Sequence, residues 1–431
     1  MKVLFKTLGC KVNRYDTETL RELFACGDIL SVNEGEDIPD IVVVNSCTVT
    51  AESDRKTRQT VRKMRRQYPA AVIAVTGCMP QARPEKAKTL TDADIIIGNA
   101  LNSELPALVK KFMAHRDKIV ESKPHRPHEK ISPLSSHSFE GRTRAFVKIE
   151  DGCNRFCSYC IVPYARGRVR SKPPERIAEE LTAFAAAGYK EAVIAGINLS
   201  AYGSDIGLTL PDGVKAADVE GIERLRLGSL EPDQLTPEVL DGLKSVKKLC
   251  GQFHLSLQSG SDSVLKRMNR KYDTARFYRA VELLREYFPG CGLTCDLITG
   301  FPGETEEDHA ATLEFIRRCG FSDMHIFPYS RRPGTPADKM PQQCSRAVKE
   351  RRAREAKAVA EEMKAAFLAS CVGQTLPVLF ETQDGEFFTG HSDTYVLVRA
   401  RGEKLRGRTL NVLITGTDGG VLTGELTGAD A

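Results

Sequence analysis

Three thiols fall within eight residues at Cys153-Asn-Arg-Phe-Cys157-Ser-Tyr-Cys160, a spacing that lets one compact loop wrap them around a single metal centre. Cysteine thiolates are the usual holders of iron–sulfur clusters. Three protein ligands on a four-iron cube leave one iron open, and an open position lets a centre bind a reactant rather than only brace a fold. A structural zinc site normally takes four protein ligands, and no Cys or His follows within thirty residues to supply the fourth. A zinc site or a group of buried thiols remains the alternative. A second set, Cys10, Cys47 and Cys78, is dispersed, yet each cysteine closes the same kind of segment, LGC, NSC or TGC. Scattered cysteines are often no more than small buried hydrophobes. Their shared context makes these three a candidate second thiolate site. Arg166, Arg168 and Arg170 follow the compact loop and are candidates to meet a substrate phosphate or a carboxylate.

Such groups need elements to position them. From residue 1 to 115, the short apolar runs Val3–Thr7, Ile41–Asn45 and Val72–Thr76 alternate with charged helical stretches at Asp16–Ala25 and Asp54–Gln67. This rhythm predicts a small parallel-sheet α/β domain. Cys10, Cys47 and Cys78 then emerge at the carboxyl edge of the sheet, where ligands gather in open α/β folds. Residues 116–140 are rich in Pro, Ser, His and charge and read as a linker. A second alternation occupies 141–345, with strands expected at Arg144–Ile149, Ala192–Ala195, Arg224–Leu227, Phe253–Leu257, Leu293–Ile298 and Met324–Phe327. Six strands with intervening helices predict an open (β/α) barrel, whose active residues lie at strand carboxyl ends. A charged, Ala-rich helix connects 346–371, and from 372 to 431 Gly-broken β-rich runs predict a small all-β domain.

The 431 residues carry a formal charge of only +5, so distribution matters more than the total. Arg55, Lys56, Arg58, Arg62, Lys63, Arg65 and Arg66 crowd one predicted helix, and a second basic cluster runs from Arg142 to Lys172. Either suits a polyanion; a solvated helix face is the bland alternative. Thirteen cysteines in a chain with no secretory h-region point to metal or catalytic use in a reducing compartment. Apolar runs fall far short of the roughly 20 residues that span a bilayer. A cytoplasmic protein without a membrane segment is therefore expected. Cys26, Cys250, Cys291, Cys295, Cys319, Cys344 and Cys371 are expected to be buried structural thiols. Cys291 and Cys295 are suggestively spaced but have no third partner nearby.

With both cysteine sets in view, the chain resembles the methylthiotransferases of the radical S-adenosylmethionine superfamily over nearly its whole length. TLGCKVNRYDTE, VVNSCTVT and AVTGCMPQ look like the three ligand segments of their amino-terminal domain, and EDGCNRFCSYCIVPYARGRVRS looks like their radical segment. GINLSAYG, LRLGSLEP, HLSLQSGSDSVLKRMNRKY, DLITGFPGETEED and HIFPYSRRPGTPA resemble the remaining barrel, and the segment with GHSDTYVLV resembles their TRAM domain.

The resemblance implies two [4Fe-4S] clusters. One, on Cys153, Cys157 and Cys160, reduces S-adenosyl-L-methionine to a 5′-deoxyadenosyl radical; the other, on Cys10, Cys47 and Cys78, carries the inserted sulfur. It also suggests Asn198, Ser229, Glu231, Arg226, Gln258 and Asp296 as S-adenosylmethionine-binding candidates at strand ends, with turn roles as the alternative for several of them. Arg226 shares a strand with Leu225 and Leu227 but faces the other way.

Family members act on tRNA adenosine 37 or on a ribosomal-protein aspartate. Lys11-Val12-Asn13 after the first cysteine resembles the branch acting on N6-threonylcarbamoyladenosine, in place of the Gln–Met or Pro–Lys pairs of the others. The implied partners are a tRNA anticodon loop, whose splayed bases can be read singly, and a reductant and a sulfur donor of unknown identity. A monomer is expected. The region from Val372 to Ala431 holds five Arg or Lys against eight Asp or Glu, so the Arg55–Arg66 helix is expected to make much of the phosphate contact, with Arg62, Arg65 and Arg66 as test positions. A non-catalytic RNA-binding protein with structural metal sites is the reading from another class.

Overall fold

A computed structural model describes residues 1–137, 139 and 143–427. Arg142, the start of the second basic cluster, lies outside the described residues, as do the last four positions of the carboxy-terminal segment. The chain divides into two compact units. The first comprises Met1–Ser138, Glu150–Lys172 and Ser330–Lys339, and the second Phe139–Ile149, Pro173–Tyr329 and Met340–Ala431.

In the first unit the runs IVVVNS and VIAVTG are buried at every position. Strands buried on both faces belong inside a parallel sheet covered by helices. The sheet has six strands in the order Leu30–Ser31, Lys2–Thr7, Ile41–Ser46, Val72–Gly77, Ile95–Ile97 and Ile119–Glu121, all parallel. Alternation sorts the core into two layers. Val3, Ile41, Val43 and Ala74 pack with Leu20 and Phe24 of the helix Lys11–Ala25. Leu4, Val42, Val44 and Ile73 pack with Val61 and Met64 of the helix Ala51–Gln67. Ile119–Glu121 falls in the segment read as a linker, yet forms the edge strand opposite Ile95–Ile97. Three residues among prolines and charges are too few to show a period of two.

The helix Ala51–Gln67 is capped by the Thr50 hydroxyl, which accepts the Ser53 N–H, with Glu52 and Asp54 in its first turn and Arg65 and Arg66 in its last; both charge placements favour the helix dipole. Arg65 is engaged within the fold. Its guanidinium donates to the carbonyls of Pro69, Ala71 and Asp92 and pairs with Asp94 at 2.6 Å. Lys63 is held by Glu34 at 2.7 Å.

In the second unit, parallel strands run in the order Arg224–Leu227, Glu191–Ala195, Arg144–Lys148 and, in a second sheet, Ser229–Leu230, Gln252–Gln258, Gly292–Thr299, Asp323–Pro328. A bridge between Leu225 and Leu249 links the two runs. Helices alternate with these strands, giving the partial (β/α) barrel that the sequence predicts. After the helix Arg346–Cys371, the strands Thr375–Asp384, Phe387–Ser392, Leu397–Arg401, Thr409–Asp418 and Val421–Leu426 close into a barrel around Val378, Phe380, Val398, Val412 and Leu422.

Arg65→Glu should lower the stability of the chain by about 1–3 kcal/mol, because Asp94 and three carbonyls lose a charged donor. Arg62→Glu, whose nearest acid stands 3.9 Å away, should change it by less than ~0.5 kcal/mol. Equal thermal unfolding temperatures for the two variants would contradict the assignment.

Candidate metal centres

The three neighbouring strands Lys2–Thr7, Ile41–Ser46 and Val72–Gly77 deliver Cys10, Cys47 and Cys78 to one sheet edge. Cys10 is exposed and precedes the helix Lys11–Ala25, Cys47 is buried just past its strand, and Cys78 is buried at the start of the helix Cys78–Ala82. Close approach requires glycine ahead of two of them. Gly9 has φ +104°, and a Cβ there would lie 2.8 Å from Cys47 Cβ and 3.0 Å from its sulfur. Gly77 has φ +98°, and a Cβ there would meet Asn45 Oδ1 and the Ser46 carbonyl at 2.4 Å. Only glycine fits such a backbone without strain.

Asn13 ties the three loops together. Fully buried, its side-chain amide nitrogen donates to the carbonyls of Leu8 (2.7 Å) and Ser46 (2.9 Å), and its backbone carbonyl accepts from the Asn45 side chain at 2.8 Å. The Cys78 thiol lies 3.6 Å from Asn13 Oδ1. On the Cys47 side, buried Arg332 donates to Thr48 (2.8 Å) and Asp54 (2.9 Å), fixing the turn that leaves the cysteine. Burial pushes the Cys78 thiol up to about 12 and also raises Cys47; the Arg166 guanidinium opposes both shifts. The Cys10 and Cys47 thiols each act on Cys78, and Cys10 acts on Cys47, so the three form one electrostatic group. Cys47 and Cys78 hold their protons until a metal displaces them, and soft thiolate donors around a glycine-cleared space suit an iron–sulfur cluster.

Cys153, Cys157 and Cys160 occupy the loop between the paired strands Glu150–Asp151 and Arg170–Ser171. The loop is tightly cinched. Cys153 N–H donates to the Gly167 carbonyl at 3.0 Å, Cys160 N–H to the Cys157 carbonyl at 2.9 Å, and Arg155 N–H to Cys153 sulfur at 3.4 Å. Gly152 has φ +91°, and a Cβ there would collide with the Arg168 carbonyl. Cys157 is buried, and Cys153 and Cys160 are half-buried.

Arg166 and Arg170 do not present free charge to a phosphate or a carboxylate, the role that the sequence suggested for them and for Arg168. Arg166 is buried against Asp16 (2.6 Å), Asp151 (3.2 Å), Asn13 and Cys78. Arg170 is buried against Glu129 (3.0 Å) and the Arg166 carbonyl (2.8 Å). Arg168 is exposed, with its guanidinium 4.5 Å from the Phe156 ring centre.

In the second unit, Asn198 is buried just past the strand Glu191–Ala195, where its carbonyl starts a 3-10 turn by accepting from Ala201. Ser229 is exposed on its short strand. Glu231 follows that strand, with its carboxylate bonded by Arg270, a residue that sequence reading missed. Gln258 ends its strand at φ +69°. Asp296 lies within its strand rather than at the end, and His254 (3.2 Å) and His325 (3.3 Å) flank its carboxylate. Burial alone would raise that carboxyl; the two histidines hold it well below the usual carboxylate range. Arg226 does not line a strand end, as the cofactor-binding role expected of it would need. It is buried against Glu191 (3.1 Å) and the carbonyls of Ser392 and Asp393.

Two of the remaining cysteines differ from the expected buried thiol. Cys26 is exposed and Cys344 half-buried, whereas Cys250, Cys291, Cys295, Cys319 and Cys371 are buried.

Comparison with known proteins adds to this geometry. Residues 147–316 match the radical SAM superfamily, and residues 2–98 match the uncharacterized protein family UPF0004. The chain is 36% identical to the threonylcarbamoyladenosine tRNA methylthiotransferase MtaB of Bacillus subtilis, over 96% of this chain and 93% of that one. It is 34% identical to the tRNA-2-methylthio-N(6)-dimethylallyladenosine synthase of Pelotomaculum thermopropionicum, over 97% and 96%. Among solved structures, the radical S-adenosylmethionine methyltransferase TsrM of Kitasatospora setae shares the fold, with a TM-score of 0.58 at 15% identity over 89% of this chain and 79% of that one.

Asn13→Ala removes the group that joins the three cysteine loops and should weaken metal retention on Cys10, Cys47 and Cys78 by about 1–3 kcal/mol. In a Cys153→Ala, Cys157→Ala, Cys160→Ala background, the added change should lower iron bound per chain after chelator challenge. Unchanged iron would show that Asn13 does not organise the site.

Proposed function

The chain belongs to the radical S-adenosylmethionine methylthiotransferases, enzymes that transfer a sulfur-containing group, and on that premise we propose that it converts N6-threonylcarbamoyladenosine at tRNA position 37 to its 2-methylthio derivative. The observation that carries this reading is the pair of three-cysteine sites on a radical SAM chain, one in the compact loop and one at the sheet edge. The substrate assignment is supported by Lys11-Val12-Asn13 after the first cysteine and by the 36% identity to an enzyme named for threonylcarbamoyladenosine tRNA.

Two clusters are proposed, one on each set. When bound, they supply one-electron cleavage of S-adenosylmethionine at one site and a sulfur to be methylated and inserted at the other. The chain's own residues do the rest. The hydrogen-bonded loop Gly152–Gly167 carries the three thiols, Cys153, Cys157 and Cys160, that would hold the radical-generating cluster. Asn198, Ser229, Glu231 and Gln258 offer polar groups at or just past strand carboxyl ends for the amino acid and ribose parts of S-adenosylmethionine, and Asp296 adds a carboxylate from within its strand. Burial of Cys47 and Cys78 excludes water from a sulfur-bearing site, while exposed Cys10 marks its open side.

No described helix is long and apolar enough to cross a membrane. The proposal places the enzyme in the cytoplasm as a monomer, working with a separate reductant and sulfur donor. Its tRNA contact includes Arg58, Arg62 and Arg66, together with the TRAM-like barrel, whose basic residues lie between Arg399 and Arg408.

Mass analysis of tRNA nucleosides from a strain lacking the gene should show loss of the 2-methylthio group from threonylcarbamoyladenosine, with the unmodified nucleoside accumulating. Loss of the group from the dimethylallyl nucleoside instead would move the enzyme to the other tRNA branch, and an unchanged nucleoside profile would refute a tRNA substrate.

A further inference from the structure

We propose that Arg166, carried on the segment that follows the radical-site cysteines, sets the reduction potential of the cluster on Cys10, Cys47 and Cys78. The inference rests on the two-cluster reading above and concerns a residue to which that reading gives no role.

Arg166 ends the short helix Val162–Arg166, six positions after Cys160, with its side chain 3% exposed. Its Nε donates to Cys78 sulfur at 3.3 Å, one Nη donates to Asp16 at 2.6 Å and Asp151 at 3.2 Å, and the other donates to Asn13 Oδ1. The guanidinium therefore touches a ligand sulfur, the residue that joins the three cysteine loops, and two acids. Arg166 is the cation that acts on both buried thiols, Cys47 and Cys78, and Cys10 acts on it in turn.

The electrostatics follow from these contacts. Three thiolates and two carboxylates surround one guanidinium that cannot lose its proton. A hydrogen bond to a ligating sulfur withdraws electron density from the cluster, and a nearby buried cation favours the more negative, reduced state; both raise the reduction potential. The planar fork of arginine serves Cys78, Asp16 and Asn13 at once, which the compact ammonium of lysine cannot. Arg166 is thus a positioning residue. It binds no substrate, and it makes the electronic state of one metal centre depend on a segment whose first duty is to follow the other.

A purely structural salt bridge would brace the unit without touching the potential, and this difference can be measured. In full-length protein with Cys153, Cys157 and Cys160 changed to Ala, anaerobic reconstitution should leave about four irons on Cys10, Cys47 and Cys78. Redox titration followed by electron paramagnetic resonance should then give a more negative midpoint for Arg166→Gln than for the parent, with Arg166→Lys between them. Because either variant can fail to fold around Asp16 and Asp151, the parent is also labelled with 15N-arginine. Pulsed resonance on its reduced cluster should show a 15N hyperfine coupling, which Cys78 alone cannot supply. Equal midpoints in folded variants, or no 15N coupling in the labelled parent, would overturn the role of Arg166. Failure of the parent to hold iron would instead strike the two-cluster reading.

Discussion

Everything at the sheet edge depends on strand register. Thr7 stands opposite Asn45, Asn45 opposite Thr76, and Ser46 opposite Gly77, so three strands end at the same level and their next few residues turn in one place. Parallel pairing fixes that level, because a slip by one residue would move every buried side chain to the opposite face. The apolar runs IVVV and VIAV enforce it from both layers of the core. Cysteines from three distant parts of the chain thus become a single electrostatic group through backbone hydrogen bonding, before any metal contributes.

The polar groups around that edge are held as firmly as the apolar ones beneath it. Asn13, Asn45, Ser46 and Thr76 are buried, and their bonds run from loop to loop: Asn13 to Leu8 and Ser46, Asn45 to Asn13, Ser46 to the Thr76 carbonyl at 2.6 Å. A buried amide with such partners is costly to disturb, which gives the site a fixed shape. In the second unit, Glu191 plays a comparable part. Arg224 (2.9 Å) and Arg226 (3.1 Å) converge on its buried carboxylate and reach on to the carbonyls of His391, Ser392 and Asp393. These charges brace the barrel strands against the all-β segment.

Much of this is legible in the residues. The parallel sheet, the barrel strands and the closing β-segment are readable because their apolar runs are long and their turns carry Gly, Asp or Thr. The two cysteine sets are readable because spacing and strand-end context are local properties. What is not legible is where arginine side chains go. Arg65, Arg166, Arg170 and Arg226 look in sequence like cations for a polyanion or a cofactor, yet each is consumed by an internal acid or carbonyl contributed by another segment. Position 13 reads only as part of a substrate-branch signature, although Asn13 is the hub of the loops that carry Cys10, Cys47 and Cys78. A buried Asn beside a cysteine carries no periodic signal. Asp296 reads as a strand-end residue for a related reason: its histidine partners come from neighbouring strands, and sequence gives no register between them.

The division of labour between the two cysteine sites is the central claim, and it is tested most directly by replacing Cys10, Cys47 and Cys78 together with Ala. After anaerobic reconstitution, iron, 5′-deoxyadenosine and methylthiolated product would be measured on the same sample. About four irons should remain, and reductive formation of 5′-deoxyadenosine should persist, while the methylthio product disappears. Methylthio product formed at the parent rate, or loss of 5′-deoxyadenosine with the radical-site iron still bound, would contradict the account.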